Sequence, residues 1–346
     1  MNAQVVAAII AGALTVIGTL AAQFYGRRAT SRDTQKALDE QGKQLDRTLA
    51  EQRTRTLNER FATAAGQLGS DKPPAVRLAG VYAMEGLADD WEENRQTCID
   101  VLCAYLRMPY KPDPGGEAPL PERLAFRANR EVRHTVIRII AAHLKAGAAV
   151  SWQGLDFDFR GVVFDGGNFS DVKFSGGEVS FGGAEFSGAM TMVYFGGAEF
   201  SGGTVSFGGA KFSGGNVFFG NAEFSGGEVS FTGAEFSGGT VHFLGAEFSG
   251  GQVSFGEGVF SGGTVYFFGA EFSGGNVLFG EGVFSGGTVY FFGAKFSGGN
   301  VFFGNAKFSS GKVDFRDPGD WSFPPKFLWT ATPPGVLLPN QGQSQT

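Results

Sequence analysis

Phenylalanine recurs at fixed steps through the C-terminal half of this chain. Of its 37 phenylalanines, 27 belong to one regular series between Phe159 and Phe315. From Phe200 to Phe315 every step in that series is five or seven residues. The paired steps define a twelve-residue unit, AEFSGGxVxFxG, of which Ala198–Gly209 is one copy.

This period excludes an α-helix, because neither five nor twelve residues keeps a side chain on one helical face. Glycine makes up 56 of the 346 residues, and a Gly-Gly pair in nearly every unit would also destabilise a helix. The alternation Val-x-Phe lasts only about three residues, which is too short for an ordinary antiparallel strand. The pattern predicts a solenoid of short strands in which each position stacks on its equivalent about 4.8 Å away.

A longer period lies on top of the twelve-residue one. The segment from Gly256 to Phe279 recurs from Gly280 to Phe303 with two differences in 24 positions. We therefore expect a 24-residue coil with four sides. The phenylalanines fill its interior, Ala or Val fills the gaps between rings, and Ser and Gly form the corners.

The units resemble the pentapeptide-repeat family, whose pattern is Ala-Asp/Asn-Leu/Phe-x-x. The resemblance covers residues 154 to about 315. It implies a right-handed quadrilateral parallel β-helix, so the expected fold class is α+β, with helical segments preceding that β-helix. The chain departs from the pattern by inserting Gly-x after alternate pentapeptides and by using Phe in place of Leu. The matching pairs are Ala184/Phe186, Ala198/Phe200, Ala210/Phe212, Ala222/Phe224, Ala234/Phe236, Ala246/Phe248, Ala270/Phe272, Ala294/Phe296 and Ala306/Phe308.

The N-terminal segment, residues 1–25, is interpreted as a transmembrane anchor. Residues 5–22 carry no charge and would rise about 27 Å as a helix, close to the thickness of a bilayer core. Arg27, Arg28 and Arg32 follow, which predicts a single-pass protein of the cell membrane with its N-terminus outside and its bulk in the cytoplasm. A cleaved signal peptide is the alternative and would give an extracellular rod, but MNAQ carries no positive side chain.

Residues 26–68 are predicted to form a helical stalk. Leu38, Leu45, Leu49 and Leu57 lie at spacings of seven, four and eight residues, which indicates an amphipathic helix with a narrow apolar stripe. Thr48 interrupts the stripe. Homo-oligomerisation through the stalk as a coiled coil and a solvated single helix both remain open.

Residues 69–148 are predicted to form a small α-helical domain with helices over 76–91, 98–108 and 132–144. A proline-rich loop, residues 109–121, is predicted between the second and the third of these helices. Cys98 and Cys103 have no metal-ligand spacing around them, so we expect two buried thiols. His134 and His143 lie nine residues apart, and we interpret both as structural.

The predicted β-helix occupies residues 149–317 and needs a cap at each end, because open strand edges aggregate. Trp152 and Leu155, with the helical domain, are expected to close its start. Residues 318–346 are expected to form an aromatic, proline-rich cap followed by a disordered tail. The expected lid residues are Trp321, Phe323, Phe327 and Trp329.

No nucleophile–base pair, phosphate loop or ligand cluster is recognisable, so we predict no catalytic, cofactor-binding or metal-binding residues and no cofactor. The leading hypothesis is a non-enzymatic, membrane-tethered scaffold or protein-interaction rod with an unknown protein partner and no direct nucleic-acid binding. Residues 151–317 hold 16 acidic and 7 basic side chains, a net charge of −9. Glu199, Glu223, Glu247 and Glu271 are predicted to stack into one stripe ended by Lys295. The alternative is therefore an acidic DNA mimic that binds the type II topoisomerase gyrase, as some pentapeptide-repeat proteins do.

Overall fold

The computed structural model describes residues 3–111, 113–188 and 191–340, without the side chains of 3–10 and 26–33. The chain divides into two compact units, residues 1–60 and residues 61–346. Helix α1, Ala3–Leu68, supplies all of the helical structure of the first unit and the start of the second.

In the first unit, three of the four leucines of the predicted stripe are open to solvent, whereas Leu57 is buried. Leu38, Leu45 and Leu49 are each more than half exposed. Ion pairs between residues one turn apart, such as Lys43–Glu40 at 3.3 Å, support the helix weakly. Self-association through this stripe stays a prediction.

The predicted single-pass membrane localisation is wrong by the criterion of helix length and polarity. Among the described residues, no helix carries an apolar stretch long enough to cross a bilayer. The side chains of residues 5–10, and those of Arg27, Arg28 and Arg32, lie outside the described set.

The helical part of the second unit contains α2, Pro74–Asp90, a 3-10 turn, Glu92–Asn94, α3, Arg95–Arg107, and α4, Leu120–Leu144. Helix α4 begins well before the predicted start at 132. Pro121 lies in its first turn, where proline is tolerated because that N–H has no helical partner. The last predicted helix was therefore too short at its start.

Both cysteines are buried free thiols, as predicted. Both lie on α3. Burial raises the pKa of Cys98 to about 11 and that of Cys103 to about 12, because the charged thiolate is poorly solvated there.

The rest of the second unit is a parallel β-solenoid of about seven turns, and its coils have four sides. Most strands pair with the strand two repeat units later, as Glu223 pairs with Glu247 and Phe224 with Phe248. The predicted 24-residue coil is therefore confirmed. The first coils differ: Val163 pairs with Glu185, and Glu185 with Lys211, so one coil is shorter and the next is longer than the regular coil. Residues 189 and 190 lie outside the described set.

Each of the four sides, numbered 1 to 4 here, is a stack of short strands. Strands β4 (Lys173–Ser180) and β7 (Glu199–Ser206) begin on side 1, turn the corner and end on side 2. Side 1 continues with β10, Glu223–Phe224, β14, Glu247–Phe248, β18, Glu271–Phe272, and β22, Lys295–Phe296. Side 2 contains β1, Phe157–Asp158, β11, Glu228–Ser230, β15, Gln252–Ser254, β19, Asn276–Leu278, β23, Asn300–Phe303, and β26, Lys326–Phe327. Side 3 contains β2, Val163–Phe164, β5, Glu185–Phe186, β8, Lys211–Phe212, β12, Glu235–Phe236, β16, Val259–Phe260, β20, Val283–Phe284, and β24, Lys307–Phe308. Side 4 contains β3, Gly167–Asn168, β6, Met192–Tyr194, β9, Asn216–Phe218, β13, Thr240–His242, β17, Thr264–Tyr266, β21, Thr288–Tyr290, β25, Lys312–Asp314, and β27, Val336–Leu337.

The interior is built from columns of stacked phenylalanine rings. Phe231 and Phe255, one coil apart, stack with centroids 4.8 Å apart and planes 4° from parallel. Phe231 meets Phe243 of the neighbouring column edge-on, at 5.9 Å and 83°. Both geometries are favourable for aromatic quadrupoles. Every member of the predicted series is buried except Phe308, which is half-buried.

Both glycines of the Gly226–Gly227 corner are required by the close approach of neighbouring coils, and a Cβ built at Gly226 would lie 2.5 Å from the carbonyl oxygen of Ser201. Gly227 has φ +66°, and a Cβ built there would lie 2.5 Å from the carbonyl oxygen of Gly203 in the preceding coil. No side chain fits such a gap. The Gly-Gly pairs are therefore explained by packing between coils as well as by backbone conformation.

Both ends of the solenoid are covered by aromatic residues. Trp152 is fully buried at the start, stacks on His143 at 4.0 Å and donates to Asp89. At the other end, Phe327 stacks on Trp329 at 4.0 Å, and Trp321 meets Phe296 edge-on. Phe323, which we expected in this lid, is instead 56% exposed. The end of the predicted disordered tail, residues 341–346, lies outside the described set.

Candidate interaction surface

Side 4 carries a row of outward-facing aromatic rings. In strands β6, β9, β13, β17 and β21 the residue between the buried Val and the buried Phe points outward, as period-two alternation requires. Ring centroids along the row lie 4.7–5.5 Å apart, with interplanar angles of 8–17°. The row contains Tyr194, Phe218, His242, Tyr266 and Tyr290.

A second apolar row runs beside it. Leu244, Phe268 and Phe292 are 43%, 47% and 45% exposed, and the rings of Phe268 and Phe292 lie 4.9 Å apart. Thr240, Thr264 and Thr288 stack in register at the other edge of the same strands. We call these three rows the aromatic face.

The equivalent positions half a coil away, on side 2, are small for most of their length. Ser206, Ser230 and Ser254 occupy the place of the aromatic ring and stack in register. Only in the last coils do Leu278 and Phe302 replace them. Side 4 therefore presents rings where side 2 presents hydroxyl groups, although both derive from one twelve-residue unit.

The aromatic face lacks charge over its central part. Strands β9, β13, β17 and β21 contain no acidic or basic side chain other than His242. Burial between Phe218 and Tyr266 lowers the pKa of His242 below its usual value, which favours the neutral imidazole. The uncharged surface thus extends over four consecutive coils.

Charge returns where the face ends. Asp314 follows Tyr290 in the same row and accepts from Arg316 at 2.7 Å and pairs with Lys312 at 3.1 Å. The hydrogen bonds from Arg316, and to a smaller extent the pairing with Lys312, lower the pKa of Asp314 to about 2. Lys312 also lies over the ring of Tyr290, 5.1 Å from its centroid.

The acidic stripe predicted on side 1 is present. Glu199, Glu223, Glu247 and Glu271 are consecutive register partners. A lysine closes each end of the stripe: Lys173 pairs with Glu199 at 2.7 Å and Lys295 with Glu271 at 3.5 Å. The four glutamates therefore carry a net charge of about −2 once both lysines are counted.

A polar cluster joins the helices to the first coil. Asp165 accepts from Tyr110 at 2.7 Å and from Arg130 at 3.0 Å, and it lies 2.9 Å from Nε2 of His134. Burial opposes ionisation of Asp165, but the bonds from His134 and Tyr110 outweigh it, so its pKa is lowered. His143 similarly contacts Asp89 at 3.3 Å. Both histidines hold α4 against its neighbours.

The described residues contain no group of three or more His, Cys, Asp or Glu side chains placed to hold a metal ion. No protein-family model, curated protein or solved structure matches this chain. The aromatic face was not predicted from the sequence. The signal for it is the residue between Val and Phe, which alternates between Ser and an aromatic residue from Ser180 to Tyr266.

Proposed function

We propose that this chain is a non-enzymatic protein-interaction scaffold that docks a partner protein on the aromatic face of side 4. The observation that carries the proposal is the difference between two equivalent sides. Side 2 keeps serine where side 4 keeps Tyr, Phe or His, so the solenoid folds without aromatic residues at these outward positions. Exposed rings in contiguous rows are typical of interaction sites.

The partner that fits is a segment with an uncharged, apolar surface. A charged group buried against Phe268 or Tyr266 would lose hydration without finding an opposite charge. The regular row spacing of about 4.8 Å suits a flat or extended surface such as a strand or the stripe of an amphipathic helix.

We also propose that the solenoid is a Phe-rich variant of the pentapeptide-repeat β-helix, with right-handed coils. Support comes from the four sides, the central Phe and the Ala or Val two residues before it, as in Ala246 and Phe248, both buried. The chain differs from the family's pattern in its longer, 24-residue coil.

Site-specific photo-crosslinking tests the docking proposal. A benzoylphenylalanine at position 268 in the aromatic face is compared with one at position 254 on side 2, in cells that produce the protein. We expect one defined crosslinked species from position 268 only, and its loss when Phe292 is changed to Ser. The same species from both positions, or none from position 268, would contradict the proposal. A crosslink to a second copy of this chain would mean that the aromatic face binds another copy rather than a different protein.

The second candidate function is the gyrase-binding DNA mimic, and the stacked glutamates of side 1 favour it. The stripe is short and ends in lysines, so its field is modest compared with that of a phosphate backbone. A supercoiling assay with the full chain tests it: inhibition or protection of gyrase that disappears in Glu223→Gln/Glu247→Gln supports mimicry. No effect at an excess of protein excludes it.

A further inference from the structure

A cleft of 480 Å³ lies in the helical part of the second unit, away from the aromatic face. Residues from the end of α1, from α2, from the end of α3 and from α4 line it. Its volume falls in the range of small-molecule sites. Leu68, Tyr105, Met108 and Phe126 supply an apolar and aromatic wall.

Two guanidinium groups lie in the same cleft, and one of them is deeply buried. Arg133 is only 5% exposed, while Arg77 is half-buried. Arg133 donates to the carbonyl oxygens of Leu106 and Val163, at 2.6 and 2.9 Å, and lies 4.2 Å from the ring centroid of Tyr110. Arg77 donates to Ser70 O at 3.2 Å and Asn129 Oδ1 at 2.5 Å.

All of these acceptors are neutral. Buried charges in proteins are normally paired with an opposite charge, because an isolated ion in a low dielectric is costly. In the part of the chain that the structure describes, neither Arg77 nor Arg133 forms an ion pair with a carboxylate. Asp165, the acid close to Arg133, is already occupied by Tyr110, Arg130 and His134.

The remaining charges of the cleft lie on exposed side chains. Asp71, Glu122 and Lys111 line it but are solvent-exposed, so water screens them strongly. The inner part of the cleft therefore holds two positive charges beside an apolar wall. A guanidinium binds a carboxylate through two parallel hydrogen bonds, which makes it a specific site for that group.

We infer that this cleft binds a small organic carboxylate with an apolar, aromatic body. Its carboxylate accepts from Arg77 and Arg133, and its body lies against Tyr105 and Phe126. This inference is independent of the docking proposal, because none of these residues belongs to the aromatic face.

Calorimetric titration of the full chain with 3-phenylpropionate and with its neutral amide tests the inference. We expect saturable binding of the acid and at least tenfold weaker binding of the amide, since only the charged carboxylate accepts strong paired hydrogen bonds from a guanidinium. Arg77→Gln should weaken the acid about tenfold and leave the amide unchanged. Arg138→Gln, an exposed arginine of α4, is the matched control and should change neither affinity.

Three outcomes would overturn the inference: no saturable binding of the acid, equal affinities for acid and amide, or equal weakening by Arg77→Gln and Arg138→Gln. Arg133→Lys is a second variant that keeps the positive charge but loses the planar donor pair. It should weaken the acid relative to the parent chain if it folds. If Arg133→Lys does not fold, the result for Arg77→Gln alone tests the inference.

Discussion

Phe267 and Phe268 are adjacent in the chain and lie on opposite faces of the same wall of the solenoid. The ring of Phe267 is fully buried and stacks on Phe243 and Phe291, each 4.8 Å away. The ring of Phe268 is 47% exposed and contacts Phe292 on the surface. One residue forms the core and the other forms the candidate interaction surface.

Substitutions of these two residues test which side chain faces the core and which faces solvent. Phe267→Ala should lower the free energy of unfolding by about 3–5 kcal/mol, since it removes a buried ring and leaves a cavity. Phe268→Ala should lower it by less than about 1 kcal/mol. Urea denaturation of both variants and the parent measures this. Equal losses would mean that the two faces have been assigned wrongly.

Substitutions at two glycines measure the cost of the backbone conformation separately from the cost of close packing. Gly227 and Gly233 have nearly the same φ, +66° and +67°, but only Gly227 faces a carbonyl oxygen within van der Waals distance. Gly233→Ala should therefore cost only the left-handed conformation, roughly 1–2 kcal/mol. Gly227→Ala should cost a further 1–3 kcal/mol or so through steric overlap with Gly203. Chemical denaturation of the two alanine variants measures the difference, and equal costs would contradict the coil spacing.

Glu257 occupies a corner position at which most repeat units have glycine. Its φ is +56°, in the left-handed region that favours glycine. Glu257→Gly should raise the melting temperature, because relief of roughly 1–2 kcal/mol of strain exceeds the added flexibility of the unfolded chain. Glu247→Gly, in strand β14, is the control and should lower it. Opposite signs in a thermal scan are the expected result, and a loss of stability in both variants would argue against strain at Glu257.

Asp314 predicts a dependence of stability on pH. The folded-state pKa of about 2 lies below the ordinary value, so ionised Asp314 stabilises the fold above pH 4, and this contribution disappears as the pH falls through about 2. Asp314→Asn should therefore be less stable than the parent at pH 7, and the difference should shrink below pH 4. Glu228→Gln, exposed on side 2, serves as the control. Denaturation curves at pH 7, 4 and 2 provide the measurement, and a difference that does not change with pH would contradict the assigned pairing with Arg316 and Lys312.

The sequence predicted the core well because one physical rule governs it. Each buried Phe stacks on an equivalent ring one coil away, so the spacing of Phe200, Phe224 and Phe248 reports the coil length directly. The aromatic face is less visible, because Tyr266 and Phe268 flank Phe267 and their rings are easily assigned to the same core. Their outward direction follows only from strand alternation once the wall residue is known.

The errors have local causes. Pro121 was interpreted as part of a loop, although proline is equally typical of the first turn of a helix such as α4. Phe323 was assigned to the lid by composition, and composition does not specify direction. The cleft brings together Arg77 of α2 and Arg133 of α4, two helices separated in sequence by the whole of α3, so no local pattern could have indicated it.

Spin labels one coil apart test the central claim most directly, namely that two twelve-residue units close one coil. The double-cysteine variant at Glu223 and Glu247 places two labels a full coil apart, both on exposed positions of side 1. The variant at Glu223 and Glu235 places them half a coil apart, on sides 1 and 3. Frozen-solution EPR spectra should show strong dipolar broadening for the full-coil pair, because its backbones lie about 4.8 Å apart. The half-coil pair should show much weaker broadening. Broadening of the half-coil pair equal to or greater than that of the full-coil pair would contradict the four-sided coil.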